Sequence, residues 1–279
     1  MTHFVLLDLS YLIFHRYFAV KAWEKLTQPE GVTDYEAKIL KGFETFLAKL
    51  KKHLKLADFS NVFFMKDTSR SLIWRTTLFP AYKQNRDQVA SNQKFDPEVF
   101  TAIYQNAIPV LEEKYKIREF GMTTAEADDC IAVAVDVIEA KFPDAQITIM
   151  TNDNDFVQLI PGRKERLNIY NASFVDIVSR FDDTMMSVYT EWKVIKGDKS
   201  DNIPSIGPKI GDKTALKLAL SSEALAKKLA IPAVKEQYML NKQLIDFAMI
   251  PAKLRDDIKS AFFQMLSAAG RASPCGAPL

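Results

Sequence analysis

The sequence predicts an α/β fold: a mainly parallel central sheet flanked by helices, followed by a helical region. Three observations carry that reading. Short apolar runs alternate with helix-period patterns through residues 1–180, as in sheets covered by helices on both faces. The first run is continuous rather than alternating, which suits a strand buried on both faces. Beyond residue 180 the pattern is helical alone.

In chain order, His3 to Leu9 is the first strand, with Asp8 at its end. Tyr11 to Val20 reads as an aromatic-rich helix or turn, and Gln28-Pro-Glu-Gly31 as a loop. Thr33 and Glu36 have capping-box spacing. Ile39, Leu40, Phe43, Leu47, Leu50 and Leu54 then trace one helix face. Asn61 to Lys66 is a second strand, ended by Asp67, and residues 68–96 show no clear period. Asp96-Pro97 marks a helix start, and Pro109 should kink or break that helix. Strands follow at 117–120, 146–150 and 167–170. A helix opening with Thr124-Ala-Glu-Ala-Asp-Asp-Cys130 separates the first two, with Thr124 as its N-cap. Later helices are expected over 188–196, from 214, and over 223–229, 233–247 and 252–266. The apolar stripe from Tyr238 to Phe263 would be core for a C-terminal helical layer. The expected divisions are an α/β core at 1–180, a helical region at 181–269 and a disordered tail at 270–279.

Composition excludes several classes. With 48% hydrophobic and 26% charged residues the chain is ordinary for a globular protein. No run approaches the ~20 apolar residues of a membrane span, and the N-terminus does not read as a signal peptide. Cys130 and Cys275 are too few and too far apart for a disulfide framework or a zinc site. A monomer in a reducing compartment, cytoplasmic or at a site of viral DNA replication, is the expectation.

The acids carry the chemistry. Glu126, Asp128 and Asp129 open one helix, Asp8 and Asp67 end strands, Asp153 and Asp155 follow a third, and Asp198 and Asp201 open a Gly/Pro-rich loop. A charged helix start alone is commonplace, because the helix dipole favours acids there. Nine acids at strand ends and loop starts are too many to be neutral without cations. Sheets of this class place their sites beyond the carboxyl ends of the strands. Oxygen ligands without histidine or cysteine favour Mg2+, with Mn2+ as substitute, over zinc. Two such ions suit phosphodiester hydrolysis. Setting the nine acids aside leaves 26 against 37 basic residues, an excess that fits a polyanionic substrate or merely solvated lysines. The basic residues Arg70, Arg75, Lys83, Arg86 and Lys94 interleave with Trp74, Phe79 and Tyr82. That mixture suits phosphate contacts and base stacking, or a plain surface loop.

Together Leu7-Asp8, Met65-Lys-Asp67, Pro80-Ala-Tyr-Lys-Gln-Asn-Arg86, Glu126-Ala-Asp-Asp129, Thr151-Asn-Asp-Asn-Asp155 and Gly197-Asp-Lys-Ser-Asp-Asn-Ile-Pro204 resemble the 5′ nuclease (flap endonuclease-like) superfamily. The likeness is closest to its short phage and viral members, including phage ribonuclease H, and implies a PIN/5′-nuclease-like fold. It implies one metal group from Asp8, Asp67, Glu126 and Asp128, and a second from Asp129, Asp153, Asp155, Asp198 and Asp201. Lys83 would contact the reacting phosphate, with Arg86 beside it, Tyr82 stacked on a base and Lys193 a further basic position. Residues 68–98 would form a helical arch or clamp around a 5′ single strand. Residues 203–214 resemble a helix–three-turn–helix that holds duplex DNA, with Gly207, Lys209, Gly211, Lys213 and Thr214 around phosphates and a K+ ion. Ser205-Ile-Gly-Pro-Lys-Ile-Gly211 is one residue longer than the usual form, and His15 stands where arginine is common.

The implied activity is 5′-3′ exonuclease or flap endonuclease action in replication and repair. Its substrate would be a 5′ flap, nick or 5′ end of DNA, or an RNA-DNA hybrid. A polymerase, sliding clamp or single-strand binding protein would act in trans. A PIN-like ribonuclease and a catalytically silent DNA-junction binding protein are the rival readings.

Overall fold

A computed structural model describes residues 2–27, 33–85 and 96–269. Five parallel strands form one sheet in the order β3-β2-β1-β4-β5. They are β1 (His3–Asp8), β2 (Val62–Met65), β3 (Arg118–Phe120), β4 (Gln146–Met150) and β5 (Leu167–Tyr170). The central strands are buried on both faces: Val5, Leu6 and Leu7 are wholly buried, as are Phe63 and Phe64. That is why their apolar runs do not alternate. Strand order reverses between β1 and β4, which opens a crevice at their carboxyl ends.

One face is covered by α1 (Leu9–Thr27), α2 (Tyr35–His53) and the segment α4 (Pro97–Ala102) through α5 (Ile108–Tyr115). The other is covered by α6 (Ala127–Lys141) and α11 (Ala252–Ala269). A short helix, α3 (Trp74–Leu78), lies between β2 and α4. A helical region follows β5, with α7 (Asp183–Lys196), α8 (Asp212–Ala219), α9 (Ser222–Leu229) and α10 (Pro232–Ile245).

Several local expectations are corrected. The cap of α2 is Asp34, whose carboxylate accepts from Ala37 N–H at 2.9 Å, while Thr33 donates to Glu24 instead. Helix α6 starts at Ala127 rather than after Thr124; Asp129 accepts from the Glu126 N–H at 3.2 Å. At Pro109 the expected interruption of the α-helix is there, but the chain stays helical through it. A π-helical stretch, Ile103–Ala107, precedes it and widens the turn, so the missing N–H and the ring are absorbed. The stripe from Tyr238 to Phe263 is not one helical layer. Leu244 and Ile245 pack within the helical region, whereas Phe262 of α11 returns to the sheet, 5.2 Å from the Phe63 ring and 5.0 Å from Phe120. The loop at 28–31 and the tail at 270–279 lie outside the described residues.

Candidate active site

The crevice between β1 and β4 opens into a cavity of about 520 Å³. Asp8, Asp67, Asp128, Asp153 and Asp198 line it, with Thr151, Lys83 and Lys193 between them and Tyr11, Phe14 and Phe100 on one wall. Four of these acids are tethered by hydrogen bonds. Asp8 accepts from Tyr11 N–H at 3.0 Å and from the Thr151 hydroxyl at 2.8 Å. Asp67 accepts from Ala127 N–H at 2.8 Å, which fixes the end of β2 to the start of α6. Asp153 accepts from Asp155 N–H at 2.8 Å, and Asp198 from the Ser200 N–H and hydroxyl.

Like charge and burial raise these carboxyls. Burial first, then Asp67, pushes Asp8 up to about 7. Burial and then Asp153 push Asp155 to about 7 against the pull of Lys193, and the same two causes hold Asp128 well above the usual carboxylate range. Asp198 goes the other way: burial opposes its charge, but Lys193 and Ser200 outweigh it and hold the carboxyl down to about 2. Lys193 lies between Asp155 and Asp198, 2.8 Å from the latter. The lysine thus stands inside the acid group, not on an outer surface.

The nine acids do not form one closed cage. Among the described residues, no three acidic side chains stand close enough to enclose an ion as they lie. Five of the nine line the cavity; Asp155 sits behind it on Lys193, Asp201 accepts from the Tyr82 hydroxyl at 3.1 Å, and Glu126 and Asp129 face elsewhere. Asp129 is wholly buried and paired with Arg75, at 2.7 and 2.9 Å, and with the Trp74 indole N–H at 3.0 Å. Glu126 is held by Lys83, by Arg75 at 2.8 Å and by the Tyr82 hydroxyl at 2.9 Å; burial opposes its charge, but the two cations hold it at about 2. The reason is the helix start itself: consecutive residues point in different directions, so Asp128 enters the cleft while its neighbours turn to the Arg75 side.

The basic segment is corrected in the same way. Arg75 is 3% exposed, so it is no DNA contact; its Nε also donates to the Leu244 carbonyl at 2.8 Å. Tyr82 is buried and cannot stack on a base without moving, because its hydroxyl also bonds Asp201 at 3.1 Å. Lys83 has a left-handed backbone, φ +57°, clamped by its N–H on the Asp201 carbonyl at 2.9 Å and by Arg70 Nη1 on its own carbonyl at 2.7 Å. Asn202 Nδ2 to the Ala81 carbonyl, 2.7 Å, and Asn85 Nδ2 to the Lys199 carbonyl, 2.6 Å, complete a buckle between residues 81–85 and 199–202. Sequence reasoning missed this buckle; Asn85 and Asn202 carry no signal on their own. Arg86 and Lys94 lie outside the described residues, as does the 86–95 part of the expected arch.

The loop between α7 and α8 begins at Gly197, φ +75°, where a Cβ would meet the Pro204 carbonyl oxygen at 2.4 Å. Asp198 and Ile203 bond each other's backbone, N–H to C=O, at 2.7 and 2.8 Å. Lys209, Gly211, Lys213 and Thr214 are exposed, Gly207 half-buried. A Cβ at Gly211 would meet nothing and one at Gly207 only ordinary contacts, so neither glycine is demanded by packing.

A family model described as the 5′-3′ exonuclease N-terminal resolvase-like domain matches residues 3–196. The chain belongs to the 5′-3′ exonuclease family. Family relatives include the 5′-3′ exonuclease of Bacillus subtilis, 29% identical over 188 residues, covering 64% of this chain and 60% of that protein. Ribonuclease H of Enterobacteria phage T4 is 26% identical over 223 residues, 74% of this chain and 71% of that one. DNA polymerase I of Lactococcus lactis subsp. cremoris is 27% identical over 225 residues. This exonuclease-family chain spans only about a quarter of such a polymerase, 23% of its length. Among solved structures, the bacteriophage T5 5′-exonuclease with bound divalent zinc ions superposes with a TM-score of 0.66 at 17% identity, over 94% of this chain and 99% of that one. A T5 flap endonuclease complex with DNA and metal ions gives 0.67 at 16%, over 95% and 99%. The fold is therefore that of the phage enzymes.

Proposed function

We propose that this chain is a divalent-metal-dependent, structure-specific 5′ nuclease. It would hydrolyse a phosphodiester near a 5′ end or flap junction of DNA or an RNA-DNA hybrid, in replication and repair. The observation that carries the reading is the meeting of Asp8, Asp67, Asp128, Asp153 and Asp198 at the crevice where strand order reverses, in a chain of this family. The all-oxygen donor set and the raised carboxyls of Asp8, Asp128 and Asp155 fit hard cations, which relieve repulsion that protons otherwise relieve. Bound Mg2+ or Mn2+ would supply water activation and stabilisation of the leaving oxygen.

The protein's own residues do the rest. Asp8, Asp67, Asp128 and Asp153 would hold one ion group, and Asp155, Asp198 and Asp201 the second. Lys83, released from Glu126, would reach the reacting phosphate, and the buckle to Asp201 fixes the backbone from which it swings. Arg70 and Arg86 would steady the incoming strand. Lys209, Lys213 and Thr214, exposed beside Gly207 and Gly211, would hold the duplex through phosphates without reading bases, with a K+ ion in that loop. Among the described residues no helix is long and apolar enough to cross a membrane. A replicative polymerase as partner is part of the proposal; DNA polymerase I relatives match this chain over 225 residues.

Product mapping on a labelled double-flap substrate in Mg2+ and Mn2+ tests the reading. Cleavage near the 5′ junction supports it. Binding without cleavage in both metals would leave a silent junction binder, and cleavage of single-stranded RNA alone a PIN-like ribonuclease.

A further inference from the structure

Away from the acid cleft, the α1/α2 pair is strongly basic, with eight Lys and Arg against three Glu in its two helices. All three glutamates are engaged. Glu24 accepts from the Thr33 hydroxyl at 2.7 Å and from Tyr35, Glu36 accepts from Asn106 at 2.9 Å, and Glu44 pairs with Lys114. Between the helices lies a cavity of about 240 Å³ lined by Arg16, Ala19, Val20, Trp23, Lys38 and Gly42. It holds two cations and no acid.

The Arg16 guanidinium rests 5.7 Å from the Phe46 ring centre, and its Nε–H is buried without a hydrogen-bond partner among the described residues. The Lys38 ammonium stands 3.6 Å from the centre of the Trp23 ring. Gly42 makes the room: a Cβ there would come within 3.1 Å of Arg16 Cδ. None of the six residues lines the acid cleft.

Arg16 is half-buried and its Nε–H is closed off, whereas Nη1 lies 3.9 Å from where a Gly42 Cβ would stand and faces the same space, so a charged donor is presented there to an anion's oxygens. We propose that this pocket binds a phosphate group, with Arg16 as charge-assisted donor, Lys38 as second charge and Trp23 as a wall for the attached sugar or base. Two sources supply such a group: the backbone of a nucleic-acid strand running outside the cleft, or a free phosphate or nucleotide. The site goes beyond the nuclease reading, since it needs neither divalent cation nor cleavage.

The test uses the full chain in EDTA, where nothing is cut. Inorganic phosphate is titrated while the Arg16 Nε–H resonance is followed by NMR. Affinity for a labelled 5′-flap duplex is measured across salt for the wild type, Lys38→Ala, Arg16→Gln and Gly42→Leu, the last filling the pocket and keeping both cations. Phosphate is expected to move the resonance in the wild type and not in Gly42→Leu. Lys38→Ala should weaken flap binding about five- to tenfold and lower the salt slope by about one. A phosphate response with unchanged flap affinity in every variant assigns the site to free phosphate or nucleotide. Weaker flap binding in the variants without a phosphate response assigns it to a strand. No response and flap affinity within twofold in all variants would overturn the proposal. Failure to cleave flaps in Mg2+ would count against the nuclease reading alone.

Discussion

Arg75 and Asp129 form a bidentate pair inside the protein, Nη1 to Oδ2 at 2.9 Å and Nη2 to Oδ1 at 2.7 Å. The same guanidinium reaches Glu126 and the Leu244 carbonyl, so one side chain joins the segment after β2, the acidic helix and the helical region. Removing it leaves the wholly buried Asp129 without a countercharge, on the Trp74 indole N–H alone among side-chain donors, and takes one of the two cations from Glu126. Arg75→Ala is expected to destabilise the protein by roughly 3–5 kcal/mol, measured by urea denaturation. A loss below about 1 kcal/mol would show that the acids find other partners.

The acid cleft makes stability depend on pH and metal together. Asp8 and Asp155 titrate near 7 in the folded chain, against about 4 when unfolded. The folded state then holds more protons than the unfolded state between those values, so stability falls as pH rises through that window. In EDTA the thermal midpoint should drop from pH 5 to pH 8. Added Mg2+ or Mn2+ should raise it more at pH 8 than at pH 5, with protons released on binding. A midpoint rising with pH in EDTA would contradict the charge balance drawn here.

Asp153 is exposed in the cleft and, among the described residues, its carboxylate bonds only local backbone, so its loss should not disturb the fold. Asp153→Asn is expected to abolish cleavage while flap binding in EDTA stays within about threefold. A large binding defect would move this residue out of the metal group.

Gly197 tests the loop that carries Asp198 and Asp201. With φ +75° and a Cβ position 2.4 Å from the Pro204 oxygen, any side chain forces the backbone to shift. Gly197→Ala should cost about 2 kcal/mol or more and also lower cleavage, because Lys83 hangs on Asp201. Full activity at normal stability would mean that the loop does not position Lys83.

Lys209→Ala with Lys213→Ala should weaken duplex binding and flatten its dependence on salt by about two in slope. An unchanged slope places the duplex elsewhere.

The sheet was legible because its strands are short apolar runs that an acid ends or soon follows; Asp8, Asp67 and Asp153 mark its carboxyl edge in the sequence alone. Caps were less legible, since Thr33 and Asp34 are both good caps and only packing against Glu24 separates them. The buckle through Asn85 and Asn202 had no sequence signal, because its bonds run from side chain to backbone across more than a hundred residues.

The sequence by itself determined the parallel sheet, the position of its functional edge and which acids are available there, because strand burial and helix period are local properties of residue type. Only the tertiary structure decided which acids face the cleft. Asp128 and Asp129 are neighbours of identical chemistry, yet one lines the cavity and the other is locked to Arg75. That outcome depends on a helix entry turning successive side chains apart and on an arginine more than fifty residues away arriving to meet one of them.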